Sequence, residues 1–184
     1  MNHNLTALGP ETSVLLVVDV QEKLLPVIHE SAAMVEAARR MLLAAGVLGV
    51  PVLATEQLPD KLGPTCPPLR ECLGRTAVIE KARFSACIEP LTDRLHELDR
   101  PCVIVVGIEA HVCVLQTVLD LLRLGYVPAV CADAVGSRRP IDRDTAIERI
   151  RSAGALVTTT ESAIFELTGQ AGTDVFKRIL AIVK

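Results

Sequence analysis

The chain has no tryptophan, one tyrosine (Tyr126) and three phenylalanines (Phe84, Phe165, Phe176), so aromatics make up only 2% of its 184 residues. That scarcity argues against a stacking platform for single-stranded nucleic acid, which needs aromatic faces to receive bases. A cationic surplus is missing as well: the net charge is −3 and the isoelectric point lies near 5.8. A phosphate-backbone binder needs the opposite balance, so no nucleic-acid partner is expected. No apolar run reaches the roughly 18–20 residues that span a bilayer, so no membrane partner is expected either. The opening MNHNLTALGPETS lacks the basic-then-apolar layout of a secretory signal. The six cysteines (66, 72, 87, 102, 113, 131) form no CxxC pair and no zinc-finger spacing. Neither GxGxxG nor GxxxxGK[ST] follows the first apolar run, where the text is VVDVQEKL. A Rossmann-type dinucleotide site and a P-loop are thereby disfavoured. These absences together predict a cytoplasmic protein with reduced thiols, no metal and no cofactor.

Half of the residues are hydrophobic and 22% are charged, which is a globular composition. The length suits one domain over residues 1–184, with a core built from Leu, Val, Ile and Ala. Short aliphatic runs alternate with longer amphipathic stretches, as a parallel sheet covered by helices requires. Strands are expected at Val14–Val20, Pro51–Glu56, Thr76–Lys81, Cys102–Gly107, Val127–Ala132 and Ala155–Thr160. Helices are expected over Ser31–Leu48, Leu91–Leu98, Ala110–Leu124, Asp142–Ala153 and Glu161–Leu167, with a last one from Thr173 onward. Gly49, Gly125, Gly154 and Gly169 stand where C-terminal caps belong, and Ser31 and Thr173 where N-caps belong. Six such units with right-handed crossovers predict an α/β fold of three layers, α/β/α, with a doubly wound six-stranded parallel sheet of Rossmann-like topology. Ligands bind such sheets beyond the carboxyl ends of the strands.

What stands at those ends carries the chemistry. The first strand runs into Asp19, and a carboxylate there is costly to bury unless something pairs with it. By itself Asp19 also fits a cap or a structural acid. The second strand ends at Glu56-Gln57, before the Pro- and Gly-rich loop LPDKLGPTCPPL, and the third at Glu80-Lys81. The fourth ends at Gly107 and delivers Cys113 close to a helix start; the fifth ends at Asp133. Asp19, Lys81 and Cys113 form a coherent set. A helix N-terminus and an ammonium both favour thiolate, and a carboxylate in reach takes the thiol proton and returns it to a leaving group. His111 is a poor rival base, because residues two apart on a helix face different ways; lining the mouth of the site, or simply capping surface, suits it better. Cys102 and Cys131 fall inside strands as small apolar residues, while Cys66 and Cys72 bracket the Pro-rich loop.

The blocks LLVVDVQEKL, ATEQLPDKLGP, VIEKARFSA, VGIEAHVCVLQTVLDLLRLGY and VCADAVGSR come in order through almost the whole chain. In them the chain resembles the isochorismatase-like, or cysteine, hydrolases, most of all the isochorismatase domain-containing branch. The resemblance implies a catalytic triad of Asp19, Lys81 and Cys113. It also implies a cis peptide between Ile108 and Glu109, and an oxyanion hole made by the backbone N–H groups of Glu109 and Cys113. Most relatives carry a small residue where this chain has Glu109, which bears on the charge of the pocket. Nicotinamidases of the superfamily hold a metal through an Asp-x-His and a further His after the second strand. This chain reads TEQLPDKLGP there, and its histidines (3, 29, 96, 111) lie elsewhere, so metal is expected to be absent.

The reading that follows is a hydrolase cleaving a small amide or related C–N bond in a small-molecule substrate through a Cys113 thioester. Gln21, Gln57, Phe84, Ser85 and His111 stand near the same rim as candidates for the substrate pocket. Two alternatives fit the same family. One is vinyl-ether hydrolysis of the isochorismatase type, using Asp19 as acid; members doing that chemistry typically lack the cysteine. The other is a non-catalytic binding protein on the same fold. AHVCVLQTVLDLLRL is apolar on more than one face, which predicts a homo-oligomer, a dimer or larger.

Overall fold

The computed structural model describes residues 8–184. His3 and most of the segment compared with a secretory signal lie outside the described residues. Six strands form one all-parallel sheet in the order β3-β2-β1-β4-β5-β6. They are β1 (Ser13–Val18), β2 (Val52–Gln57), β3 (Val78–Lys81), β4 (Cys102–Ile108), β5 (Val127–Gly136) and β6 (Leu156–Thr158). The helices are α1 (Ser31–Leu48), α2 (Pro59–Leu62), α3 (Pro67–Leu73), α4 (Glu89–Leu98), α5 (Leu115–Arg123), α6 (Pro140–Ser152), α7 (Thr160–Thr168) and α8 (Asp174–Val183). One 3₁₀ turn spans Leu25–Val27 and one π turn spans Ala110–Val114.

Alternation along the strands divides the core in two, giving the expected three layers. Leu15, Val17, Ile104 and Val106 face one way and pack under α1, α3, α7 and α8. Val14, Leu16, Val18, Val103 and Val105 face the other and pack under α4, α5 and α6. Every residue of β1 and β4 is buried, as central parallel strands covered on both faces must be. The order reverses between β1 and β4, so a crevice opens beyond their carboxyl ends. At that point Gly107, with φ +133°, lets the two strands close up. A Cβ built there would lie 2.1 Å from the carbonyl oxygen of Val18, so no other residue fits.

Several expectations need correction. The first strand stops at Val18 rather than Val20, because Asp19 turns into left-handed space at φ +53°. The loop after β2, expected to be irregular, holds α2 and α3, each begun by prolines that fit the first turn. Cys72 therefore sits in a helix rather than at the edge of a loop. The strand β5 continues past Asp133 to Gly136, because its register against β4 jumps from Val105↔Val130 to Gly107↔Val135 and the extra residues bulge out. The expected helix over Ala110–Leu124 is split into the π turn and α5. Ser31 is the first residue of α1 and caps nothing, whereas the Thr173 hydroxyl accepts the Phe176 N–H at 3.0 Å.

Candidate active site

The left-handed turn at Asp19 aims its carboxylate across the ends of β1 and β2. Its Oδ1 accepts the hydroxyl of Thr55 at 2.7 Å, and its Oδ2 accepts Lys81 Nζ at 2.6 Å. Both side chains of the ion pair are 0% exposed. Lys81 comes from β3, two strands away, and its long stem bridges the gap. Its ammonium also donates to Gln57 Oε1 at 2.7 Å and to the carbonyls of Phe84 and Arg83 at 3.0 and 3.1 Å. Three protons shared among four acceptors leave none free for a ligand. Lys81 therefore holds Asp19 as a charged pair and ties down the loop that follows β3.

Gln21 and Gln57, expected at the pocket, instead brace its wall. Gln21 is fully buried, donating to the carbonyls of Gln57 (3.0 Å) and Gly63 (2.6 Å) while its Oε1 accepts the Gln57 N–H (2.8 Å). The Gln57 amide spends itself on Lys81 and on Ala82 O, at 2.7 Å each. Glu56 does the same for the neighbouring loop, accepting both the N–H (2.6 Å) and the hydroxyl (2.7 Å) of Thr65. Asp133 is far from this work: its carboxylate takes the N–H and hydroxyl of Thr160, at 2.8 and 3.0 Å, at the start of α7.

Cys113 lies in the π turn beyond β4, and only 7% of it is exposed. The peptide between Ile108 and Glu109 is cis. The Glu109 N–H faces the sulfur of Cys113. Among the described residues no backbone carbonyl outside the turn takes the N–H of Glu109 or of Cys113. Thr117 closes the turn from inside: its hydroxyl donates to the Cys113 carbonyl at 2.6 Å and accepts the Ala86 N–H at 2.8 Å. Thr55 and Thr117 were not singled out from the sequence. A buried strand threonine and a helical threonine carry no signal until their partners are known.

The structure corrects one electrostatic expectation. The Cys113 thiol is pushed up to about 12, first by burial and then by the Asp19 charge, with Lys81 only partly opposing. Burial and the neighbouring carboxylate thus favour the thiol over the thiolate at this position. Burial acts the same way on Cys131, also raised to about 12, and on Cys87, raised to about 11. An unfolded thiol titrates near 9.0, so above that value the unfolded chain sheds protons that the folded chain keeps. The expected outcome is stability that is constant below about pH 9 and falls as the pH rises through the folded values. Urea midpoints from about pH 8 to 10.5 check it, and Cys113→Ala should lose part of the slope. Equal slopes in the two proteins would contradict a raised Cys113.

Around the rim, His111 Nδ1 lies 3.0 Å from Ser137 Oγ. The Glu109 carboxylate pairs with Arg138, whose Nε stands at 3.0 Å; the Glu109 side chain is 13% exposed and that of Arg138 59%. Phe84 is 53% exposed, while Ser85 is buried and accepts the Cys87 N–H at 3.2 Å. Both line a cavity of about 500 Å³ that runs along α5 past Gln116, Leu119, Asp120 and Arg123, and its wall includes none of Asp19, Lys81 and Cys113. Among the described residues no cluster of His, Cys, Asp and Glu could hold a metal, and no helix is long and apolar enough to cross a membrane.

A carboxylate, an ammonium and a thiol thus gather at the carboxyl ends of a doubly wound parallel sheet. The chain belongs to the isochorismatase family of hydrolases: residues 13–162 match the isochorismatase domain. Isochorismatase domain-containing protein 2A of Mus musculus is 40% identical over 95% of this chain and 84% of its own length. The MAR1 ribonuclease structure from Caenorhabditis elegans superposes with a TM-score of 0.93 at 41% identity, covering 97% of this chain and 92% of that one. The YcaC gene product of Escherichia coli, an octameric hydrolase of unknown specificity, shares the fold with a TM-score of 0.91 at 22% identity, over 96% of this chain and 89% of its own.

Proposed function

We propose that this hydrolase cleaves a small amide, or a related C–N bond, through a thioester on Cys113. The observation that carries the reading is a buried carboxylate, bonded to Lys81 at 2.6 Å, beside a buried thiol whose pKa burial and that carboxylate raise. Attack and deprotonation then coincide: Asp19 takes the Cys113 proton as the sulfur bonds to the substrate carbonyl carbon. The N–H groups of Glu109 and Cys113 receive the developing oxyanion. Collapse of the adduct expels the amine, which leaves with the proton held by Asp19. A water deprotonated by Asp19 cleaves the thioester, and the released thiolate recovers the proton.

The ionised side chains around the thiol are paired within the protein, Asp19 with Lys81 and Glu109 with Arg138, which suits an uncharged reacting group. The chain's net charge of −3 and four aromatic residues favour a small molecule over RNA, the substrate named for the Caenorhabditis elegans relative. Self-association belongs to the same reading. Val27 in the 3₁₀ turn, Leu58 and Phe84 on loops and Ile141 at the start of α6 stand 46–64% exposed beyond the strand ends, apolar surface suited to a second copy. Incubating the protein with a panel of small primary amides, quenching in acid and weighing the Cys113 peptide tests the chemistry. Ammonia release accompanied by an acyl mass on that peptide is expected. Hydrolysis that proceeds equally well in Cys113→Ala would transfer the reading to Asp19 acting alone.

A further inference from the structure

The turn from Glu109 to Val114 carries both amides assigned to the oxyanion and the thiol itself. From inside it is closed by Thr117; from outside it is held by the two residues that follow β5. Arg138 meets the Glu109 carboxylate twice, through Nε at 3.0 Å and through its backbone N–H at 3.2 Å. Ser137 meets His111 at 3.0 Å, and its own carbonyl accepts the His29 N–H at 3.0 Å. Ser137 is 1% exposed, and Pro140 begins α6 just beyond, so the strap is anchored at both ends. A carboxylate one side chain away from an oxyanion site opposes negative charge there. Pairing with Arg138 sets a positive charge beside that carboxylate and offsets it in part, while fixing the peptide that presents the Glu109 N–H.

We propose that Arg138 is a positioning residue for the oxyanion site, acting through its double contact with Glu109. This rests on the thioester reading, and the test is chosen to separate the two. Acrylamide and iodoacetamide both alkylate a thiol, but only acrylamide places charge on oxygen. Its addition forms a C–S bond at the terminal carbon, shifts the C=C π pair between the α-carbon and the carbonyl carbon, and displaces the C=O π pair onto oxygen as an enolate, which the thiol proton quenches at the α-carbon. Iodoacetamide merely loses iodide. The ratio of the two rates at Cys113, normalised to free cysteine, therefore reads the oxyanion donors without knowledge of the substrate.

In the wild-type protein that ratio should exceed the free-cysteine value. In Arg138→Met it should fall about tenfold, less than the loss of a whole donor. Glu109→Gln, which keeps the amide and removes the charge, should restore part of it when combined with Arg138→Met. Arg139→Met, beside the strap but paired with Asp142, should leave it unchanged. If wild type exceeds free cysteine and Arg138→Met matches wild type, the strap does not position the site and this proposal fails alone. If wild type equals free cysteine, the oxyanion assignment fails and takes the proposal with it.

Discussion

Asp19→Asn and Cys113→Ala should both abolish amide turnover, yet Asp19→Asn should make Cys113 easier to alkylate. The loss follows from the proposed proton path: without a carboxylate nothing takes the thiol proton during attack or hands it to the leaving amine. Proton transfer of this kind contributes about 10²–10⁴ in rate, and removal of the nucleophile should cost at least as much. The gain follows from the causes of the raised thiol. Burial comes first and the Asp19 charge second, while Lys81 pulls the other way. Removing the carboxylate deletes a raising influence and frees the ammonium to act on the sulfur, so more thiolate is present at a given pH below the folded value. Iodoacetamide labelling of the Cys113 peptide, set beside ammonia release, reads both effects on one protein. Slower labelling in Asp19→Asn than in wild type would mean that Asp19 already activates a resting thiolate, and the account of the site given above would be wrong.

Lys81→Met is expected to cause the largest loss of stability among these variants, about 3–5 kcal/mol, the usual cost of leaving one partner of a buried ion pair alone. Asp19 would keep only the Thr55 hydroxyl at a position with no access to water. Gln57 Oε1 and the carbonyls of Arg83 and Phe84 would lose their donor at the same stroke. Denaturant midpoints measure the loss, and Asp19→Asn combined with Lys81→Met should recover part of it because no buried charge remains. A Lys81→Met protein as stable as wild type would show that the Asp19–Lys81 ion pair contributes nothing to the fold, and would count against the role given to Lys81 in the site.

Much of the fold was legible because its signals are local. Runs such as VLLVV and CVIVVGI leave a central parallel strand no face to expose, and intervening amphipathic stretches supply its cover. The segments that went astray are those where proline or register overrules pattern. The run PDKLGPTCPPLREC looks like loop to a periodicity argument, yet its prolines sit where a helix start tolerates them. The extension of β5 was invisible because nothing in VCADAVG announces that three extra residues will bulge from the ladder against β4.

Within the site the same division holds. Strand ends and residue chemistry pointed to Asp19, Lys81 and Cys113, because a parallel sheet gathers its carboxyl ends and few other residues there carry reactive groups. The sequence by itself determined that these three would share one rim of one sheet. Only the tertiary structure decided that Lys81 spends all its protons on the protein, that Gln21 and Gln57 brace the wall, and that Glu109 is paired with Arg138. Burial, which raises the Cys113 thiol, is likewise a property of the fold. The reason is physical: hydrogen-bond partners, burial and the charge felt by a sulfur depend on atoms from segments 24 to 94 residues apart in sequence, and no local pattern records their distances.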